Sequence, residues 1–224
     1  MILLGPLVNG IAVVIGGLAG TFGGKLLPER IRTALIPTMG LITIGIAVPG
    51  LIETSNLLIP ILSMVIGTII GELINIDRAM NKLGERIQNK LSGGSVAEGF
   101  VTCSLVFAIG AMAVMGALDS GLKGDHSVLY AKAVIDLIGA MAFASALGMG
   151  VVLSAVTVFV VEGGIALLAS LLSDILSTTV VNEITFVGSL ILVGIALNNM
   201  GATKLRSLNM VPALVMPIIL CQFM

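Results

Sequence analysis

Ionisable side chains inside apolar segments are the residues of this sequence best suited to chemistry. Glu162 lies within a long apolar run and is followed directly by Gly163 and Gly164. A charged side chain at the centre of a membrane costs about 2.5 to 3.5 kcal/mol on insertion scales, so such a residue indicates function by default. The two glycines predict a local helix break that would free carbonyl groups to coordinate a cation. The alternative is a protonated, structural Glu162 that hydrogen-bonds to a neighbouring helix.

A second group of ionisable residues begins the fifth apolar segment. Lys132 and Asp136 are four residues apart, so they share a helix face and can pair. Asp119, Asp125 and His126 come just before them. The group predicts either an outer vestibule that selects solutes by charge or an ion-pair clasp between the fourth and fifth spans. The single histidine has no second histidine at ligand spacing, which favours a solvent-facing side chain over a metal ligand.

Uncharged polar residues and glycines complete the candidate site. Asn9, Ser104 and Asn198 have apolar neighbours, where they can line a polar path or hold helices together. Small residues at four-residue spacing let helix backbones approach closely and favour a homodimer. The glycines expected at such contacts are Gly16, Gly20, Gly110 and Gly116.

The composition excludes a soluble enzyme. The 224 residues are 57% hydrophobic and only 10% charged, with a mean hydropathy of +1.17, whereas globular domains average about 25% charged residues. The net charge of -1 provides no field for nucleic acid, so the expected partner is the lipid bilayer. Catalytic and nucleotide-binding fingerprints are absent from the sequence, and its two cysteines lack metal spacing. We therefore expect no enzymatic activity, no cofactor and no metal.

The apolar segments predict an all-α integral membrane bundle of about eight transmembrane helices. An 8-helix chain of this length has no room for an extramembrane domain, since each span needs about 20 residues. Between the third and fourth spans, residues 76–91 form a predicted amphipathic helix with a basic stripe, suited to an anionic membrane surface. The spans cover residues 2–24, 33–52, 57–74, 96–118, two helices within 129–172 that turn at Gly148–Gly150, 184–198, and the stretch after Arg206.

The distribution of basic residues predicts the orientation. Under strict alternation, nine of the 11 lysines and arginines fall on one side and two on the other, which places the nine in the cytoplasm and both termini outside. The nine are Lys25, Arg30, Arg32, Arg78, Lys82, Arg86, Lys90, Lys204 and Arg206, and the two are Lys123 and Lys132.

Short similarities predict a repeat within this single transmembrane domain. Residues 1–75 and 96–172 form two three-helix units, separated by the amphipathic helix and linker of residues 76–95 and followed by two C-terminal helices in residues 173–224. Because three is odd, the second unit must be inverted, as in many transporters. The matches pair Ile15-Gly16 with Ile109-Gly110, Met39-Gly40 with Ile138-Gly139, and Leu62-Ser63 with Leu153-Ser154.

Several of these segments together resemble a known family. The runs Gly99–Leu105, Gly110–Ala113, Gly124–Ser127, Lys132–Asp136 and Leu147–Val151 are similar to the YqgA-type family of prokaryotic multipass membrane proteins, a domain of unknown function. The resemblance implies a location in the prokaryotic inner membrane and a role in transport. It implies motif positions at Ser104, Gly124, Asp125, Ser127, Lys132 and Asp136. The chain departs from the family pattern at Ala133 and at Glu162.

Two functions are consistent with these features. The first is a transporter or channel-like permease for a small solute or ion, coupled to H⁺ or Na⁺ through Glu162 or Asp136. The second is a non-transporting scaffold or regulator that acts through its glycine faces and its cytoplasmic amphipathic helix.

Overall fold

The chain folds into helices that differ in length and regularity. A computed structural model describes residues 1–78, 96–108, 111–172 and 175–223. Gly110 lies outside these ranges. So do residues 79–95, which are all but three residues of the predicted amphipathic helix and linker. The α-helices are α1 (Leu4–Lys25), α2 (Glu29–Ala47), α3 (Leu58–Ile74), α4 (Val96–Ala108), α5 (Ala111–Leu122), α6 (Ser127–Leu147), α7 (Gly150–Leu167), α8 (Ala169–Leu172), α9 (Thr178–Asn199) and α10 (Met216–Leu220).

The described helices confirm an all-α membrane bundle. Five are long and apolar enough to cross a bilayer. The pair α4 and α5, which are bent by 59° relative to each other, adds a sixth if it is counted as one span. The remaining two predicted spans correspond to shorter apolar segments, α3 and Ser207–Leu220. The count of eight spans therefore stays a prediction.

Proline residues make two of the predicted spans irregular. The second span ends in a 3₁₀ segment, Val48–Ile52, that contains Pro49. The last predicted span consists of two pieces, a 3₁₀ segment, Ser207–Leu214, and the five-residue α10. Pro212 and Pro217 lie in these two pieces, and proline cannot donate to the helical hydrogen-bond ladder.

The hairpin between α6 and α7 forms where the glycines predict it. α6 ends at Leu147 and α7 begins at Gly150. Gly148 has a φ of 71°, a conformation that residues with a Cβ atom rarely adopt. The prediction of a loopless turn in the long apolar run is confirmed.

The outer faces of the bundle are apolar, while several charged side chains are buried. Ile15, Val134 and Val160 are more than half exposed, whereas Glu162 and Glu183 are completely buried. A protein surface in water has the opposite distribution. The bundle is therefore built for a lipid environment, in which backbone polar groups are satisfied within the helices.

The most extensive helix contact joins α1 to α6. A Cβ atom added to Gly16 would lie 2.2 Å from the carbonyl oxygen of Leu137, and one added to Gly20 would lie 2.1 Å from that of Met141. Gly24 lies against the Ser145 carbonyl in the same way. This glycine stripe confirms close packing at Gly16 and Gly20. Since both glycines pack against another helix of the same chain, the predicted homodimer would have to form through other surfaces.

Neighbouring contacts also give the relative directions of the helices. Along the glycine stripe, residue numbers rise together in α1 and α6, so the two helices are parallel. Gly40 lies against Ala196 and Gly50 against Ser189, so α2 and α9 are antiparallel. Both relations agree with strict alternation of the spans. The placement of both termini outside stays a prediction.

The helices pack in two groups that cross the predicted sequence units. The first group contains α1, α4, α5, α6 and α7, and the second contains α2, α3, α9 and the C-terminal 3₁₀ segment with α10. Contacts between the groups are fewer and involve mainly α2 with α6 and α9 with α4 and α5. The first predicted three-helix unit is thus divided between the groups. The inverted repeat itself stays a prediction.

We predict that Gly20→Ala destabilises the protein by about 1 to 3 kcal/mol, because the added methyl group pushes α1 away from the Met141 carbonyl. Gly23→Ala is the matched control, since a Cβ atom there meets no atom within 4 Å. Unfolding can be followed with a thiol-reactive dye that reports exposure of the buried Cys103, in a Cys221→Ser background. Equal unfolding temperatures for the two variants would contradict the glycine-stripe interpretation.

Candidate functional site

Four polar side chains from three helices meet inside the first helix group. They are Asn9 of α1, Lys132 and Asp136 of α6, and Glu162 of α7, and we call them the buried centre. Asn9 and Glu162 are completely buried, and Lys132 and Asp136 are 6% and 4% exposed. The structure thus unites three ionisable residues and one amide that lie far apart in the sequence.

Helix geometry explains how these four side chains meet. Lys132 and Asp136 lie one turn apart on α6, as their spacing predicts. The glycine stripe holds α1 so near α6 that the short side chain of Asn9 reaches across. Its Nδ2 donates to Asp136 Oδ2 at 3.0 Å and to Glu162 Oε1 at 2.8 Å. One amide therefore links the carboxylates of two other helices.

The centre contains more acidic than basic groups. Lys132 forms a salt bridge with Asp136, which confirms the predicted pair, and its Nζ lies 3.6 Å from Glu162 Oε1. With all three groups ionised, the centre carries one excess negative charge. Asn9 Oδ1 and Glu162 Oε2 are buried without a hydrogen-bond partner among the described residues. A buried, uncompensated charge is costly, so this arrangement favours uptake of one proton or one monovalent cation.

The Lys132–Asp136 pair is not a clasp between the fourth and fifth spans, as one prediction had it. Its partners are Asn9 on α1 and Glu162 on α7. The pair is also buried, so it does not join the preceding acidic residues in an outer vestibule. It connects the first, fifth and sixth spans instead.

The residues that precede α6 form separate contacts of their own. Asp119 pairs with Lys123 at 2.7 Å, and Ser120 Oγ lies 2.7 Å from His126 Nδ1. The half-buried histidine is therefore not simply solvent-facing. Asp125 accepts a hydrogen bond from the Ser127 backbone N–H at 2.9 Å, and this bond holds the pKa of the Asp125 carboxyl below its usual value. Asp125 and Ser127 thus organise the start of α6.

The predicted helix break beside Glu162 is wrong. α7 continues through Gly163 and Gly164 to Leu167, and the Gly164 carbonyl still accepts a hydrogen bond from Leu168. The reason is that a broken ladder would leave polar backbone groups unsatisfied in an apolar interior. A Cβ atom on Gly163 would lie 3.4 Å from Leu3 Cδ2, which is an ordinary van der Waals distance.

The remaining predicted site residues lie outside the buried centre. Ser104 donates to Thr157 Oγ1 at 3.0 Å and so ties α4 to α7. Asn198 Nδ2 donates to the Leu205 carbonyl at 2.7 Å and orders the connection after α9. A Cβ atom on Gly116 would lie 2.9 Å from Leu129, which places this glycine at a contact between α5 and α6. Ser104 and Asn198 also line cavities between the helix groups, while Gly116 contributes to helix packing.

A second buried carboxylate, Glu183 on α9, was missed by the sequence analysis. It is completely buried and accepts hydrogen bonds from Thr54 Oγ1 at 2.7 Å, from the Ser55 N–H at 3.0 Å and from the Asn56 N–H at 3.3 Å. It therefore fixes the loop between the Val48–Ile52 segment and α3. The predicted seventh span began at Ile184, but Ser177 caps the helix through Val180 N and α9 begins at Thr178. An N-cap serine was the available signal.

A cavity of about 320 Å³ lies beside the buried centre, between the two helix groups. Lys132 and Asp136 form its wall on the first group, and Gly50, Glu53 and Thr185 belong to its wall on the second. A larger apolar cavity and a more polar one of similar size also lie between the groups. Among the described residues, no cluster of three or more histidine, cysteine, aspartate or glutamate side chains is arranged to hold a metal ion.

We predict that Lys132→Met destabilises the protein by about 3 to 5 kcal/mol, because it leaves two buried carboxylates without a cation. Asp136→Asn should cost less, about 1.5 to 3 kcal/mol, since Lys132 can then pair with Glu162. Thermal unfolding in detergent measures both changes. A greater loss of stability in Asp136→Asn than in Lys132→Met would refute the interpretation that the centre has an excess of acidic groups.

Comparison with known proteins identifies relatives along almost the whole chain. A protein from Bacillus subtilis (strain 168), "Uncharacterized membrane protein YdfK", is 28% identical over 219 residues, covering 96% of this chain and 94% of the relative. "Uncharacterized protein YqgA" from Escherichia coli (strain K12) is 29% identical over 220 residues, covering 95% of this chain and 94% of the relative. No solved structure matches this chain.

A family profile covers the same region. It carries the description "Protein of unknown function (DUF554)" and matches residues 4–222, which include every member of the buried centre. The earlier resemblance to the YqgA-type proteins is confirmed by these matches. The chain is a multipass membrane protein and belongs to the DUF554 family.

Proposed function

We propose that this protein is a secondary transporter or channel-like permease for a small solute or ion, without enzymatic activity. The buried centre would be its ion-binding site, and H⁺ or Na⁺ its coupling ion. The observation that carries the proposal is the charge imbalance of this centre. Two carboxylates share one ammonium group, and one carboxylate oxygen has no hydrogen-bond partner in the part of the chain that the structure describes.

The free-energy cost of burying three ionisable groups in the centre supports a functional role for it. Ionisable residues within membrane spans are expensive, and they commonly mark ion pathways and proton relays. Packing alone does not require three such groups, because an apolar cluster of similar volume stabilises a helix contact at least as well. Glu162 is the group best suited to take up the ion, since none of the described residues hydrogen-bonds to its Oε2, while Asp136 accepts from Lys132 and Asn9.

The division into two helix groups supports alternating access. The cavity beside the centre lies where the groups meet, and contacts between the groups are sparse compared with those within each group. Rocking of one group against the other would open this cavity to each side in turn, as in transporters whose sites lie between bundles. Uptake of a cation at Glu162 would remove the excess charge and so favour one of the two arrangements.

We expect the wild-type protein in liposomes to carry H⁺ or Na⁺, and Glu162→Gln to lower the rate by about tenfold or more because the coupling carboxylate is lost. Proton entry is followed with a trapped pH dye and sodium entry with a radioactive tracer, under an imposed membrane potential. Each measurement is made with and without an external mixture of small amines, amino acids, carboxylates and sugars.

Glu72→Gln is the matched control for this flux measurement. It removes one carboxylate too, but Glu72 is a partly exposed residue that pairs with Arg206 at the end of α3. It should retain the wild-type rate. Flux no greater than in empty vesicles under every condition, or equal flux in wild type and Glu162→Gln, would overturn the proposed function.

A further inference from the structure

We infer that the cavity between the helix groups binds a small organic cation, with its ammonium group at Glu53 and its hydrocarbon part along the apolar wall. We call this cavity the amine site. The inference rests on the proposed function only for the step of carrying the bound cation across the membrane. The size of the amine site suits a small ligand, because a volume of about 320 Å³ is at the lower end of the range for small-molecule pockets.

The charge on the cavity wall favours a cation. Glu53, Lys132 and Asp136 are the ionisable residues that line the cavity. The ammonium group of Lys132 is already bonded to Asp136 and lies close to Glu162. By contrast, Glu53 Oε2 is buried and has no hydrogen-bond partner among the described residues. An ammonium group would satisfy this oxygen with a charge-assisted hydrogen bond.

A hydroxyl group offers a second acceptor to the same ammonium group. Thr185 lines the cavity, and its Oγ1 already donates its hydrogen to the Val181 carbonyl at 2.8 Å. The threonine oxygen can therefore only accept a further hydrogen bond. Glu183 holds the loop that follows Glu53, through Thr54 and Ser55, so the acidic acceptor is fixed in place. A preformed pair of acceptors suits a group with several N–H donors.

The rest of the wall distinguishes an organic cation from a bare metal ion. It consists largely of hydrocarbon side chains, among them Ile46, Val106 and Leu192. An inorganic cation needs oxygen ligands on most sides, which these side chains do not provide. They instead favour burial of a short alkyl chain, because transfer of apolar groups out of water is favourable.

The charge on the wall also disfavours an amino acid. A zwitterion would bring a carboxylate that needs its own cationic partner. Lys132 is the cation on the wall of the cavity, and two acidic side chains already share it. The carboxylate would therefore be desolvated without compensation. An amine that lacks a carboxylate fits the amine site better.

The test compares four probes of similar size on the full-length protein in detergent: n-butylammonium, n-butanol, butyrate and the amino acid norvaline. Binding is measured by calorimetry and by the shift in unfolding temperature. We expect n-butylammonium to bind at least about tenfold more tightly than each of the others. Equal or tighter binding of butanol, butyrate or norvaline in wild type would overturn the inference, and this comparison needs no variant.

The variants Glu53→Gln and Glu72→Gln locate the binding. Each loses one carboxylate, but only Glu53 lines the cavity. Glu53→Gln should weaken n-butylammonium binding by about tenfold or more, while Glu72→Gln should leave it unchanged. Unchanged binding in Glu53→Gln would contradict the assignment. If n-butylammonium binds through Glu53 but flux does not depend on Glu162, the amine site stands and the transport proposal fails. If flux depends on Glu162 but n-butylammonium does not bind, the transport proposal stands and the amine site fails.

Discussion

The contact between α1 and α6 is the constraint on which the buried centre depends. Gly16, Gly20 and Gly24 lie against carbonyl groups of α6 at distances that no side chain could occupy. Asparagine has a short side chain, so Asn9 can reach Asp136 only because the two backbones are this close. The same contact leaves Lys132 shielded from lipid. A glycine stripe that looks like ordinary packing thus sets the electrostatics of the interior.

The interior of this protein is stabilised differently from that of a soluble domain. In lipid, apolar side chains gain little by turning inwards, so helix association relies on close packing and polar contacts. Asn9 and Glu183 are examples, since each makes several hydrogen bonds to partners from distant parts of the chain. These contacts differ in one respect. The Glu183 carboxylate has donors for both oxygens, whereas one oxygen of Glu162 has no donor within the described ranges. Glu183 therefore fits a structural role and Glu162 a binding role.

The sequence predicted the bundle well because membrane spans depend on local composition. Apolar runs, the glycines at 148 and 150, and the spacing of Lys132 and Asp136 are all local signals, and the structure agrees with each. The failures involved tertiary context. The Lys132–Asp136 pair lies beside α1 because of a contact between segments more than 100 residues apart. Sequence periodicity cannot reveal such a contact. Likewise, two adjacent glycines permit a helix break without requiring one, and α7 continues through both Gly163 and Gly164.

The grouping of the helices was the least predictable feature, and it determines where a solute could bind. Sequence order suggested that α1 would pack with α2 and α3, yet α1 packs with the helices of the second predicted unit. Because α1 packs with the second unit, Asn9 and Glu162 lie in one group, while Glu53 and Glu183 lie in the other. A cation in the cavity would then contact acidic groups on both sides of the boundary. Under the proposed function, movement between the groups would change the distance between Asp136 and Glu53 across the cavity, so cation binding and group movement would be coupled through electrostatics.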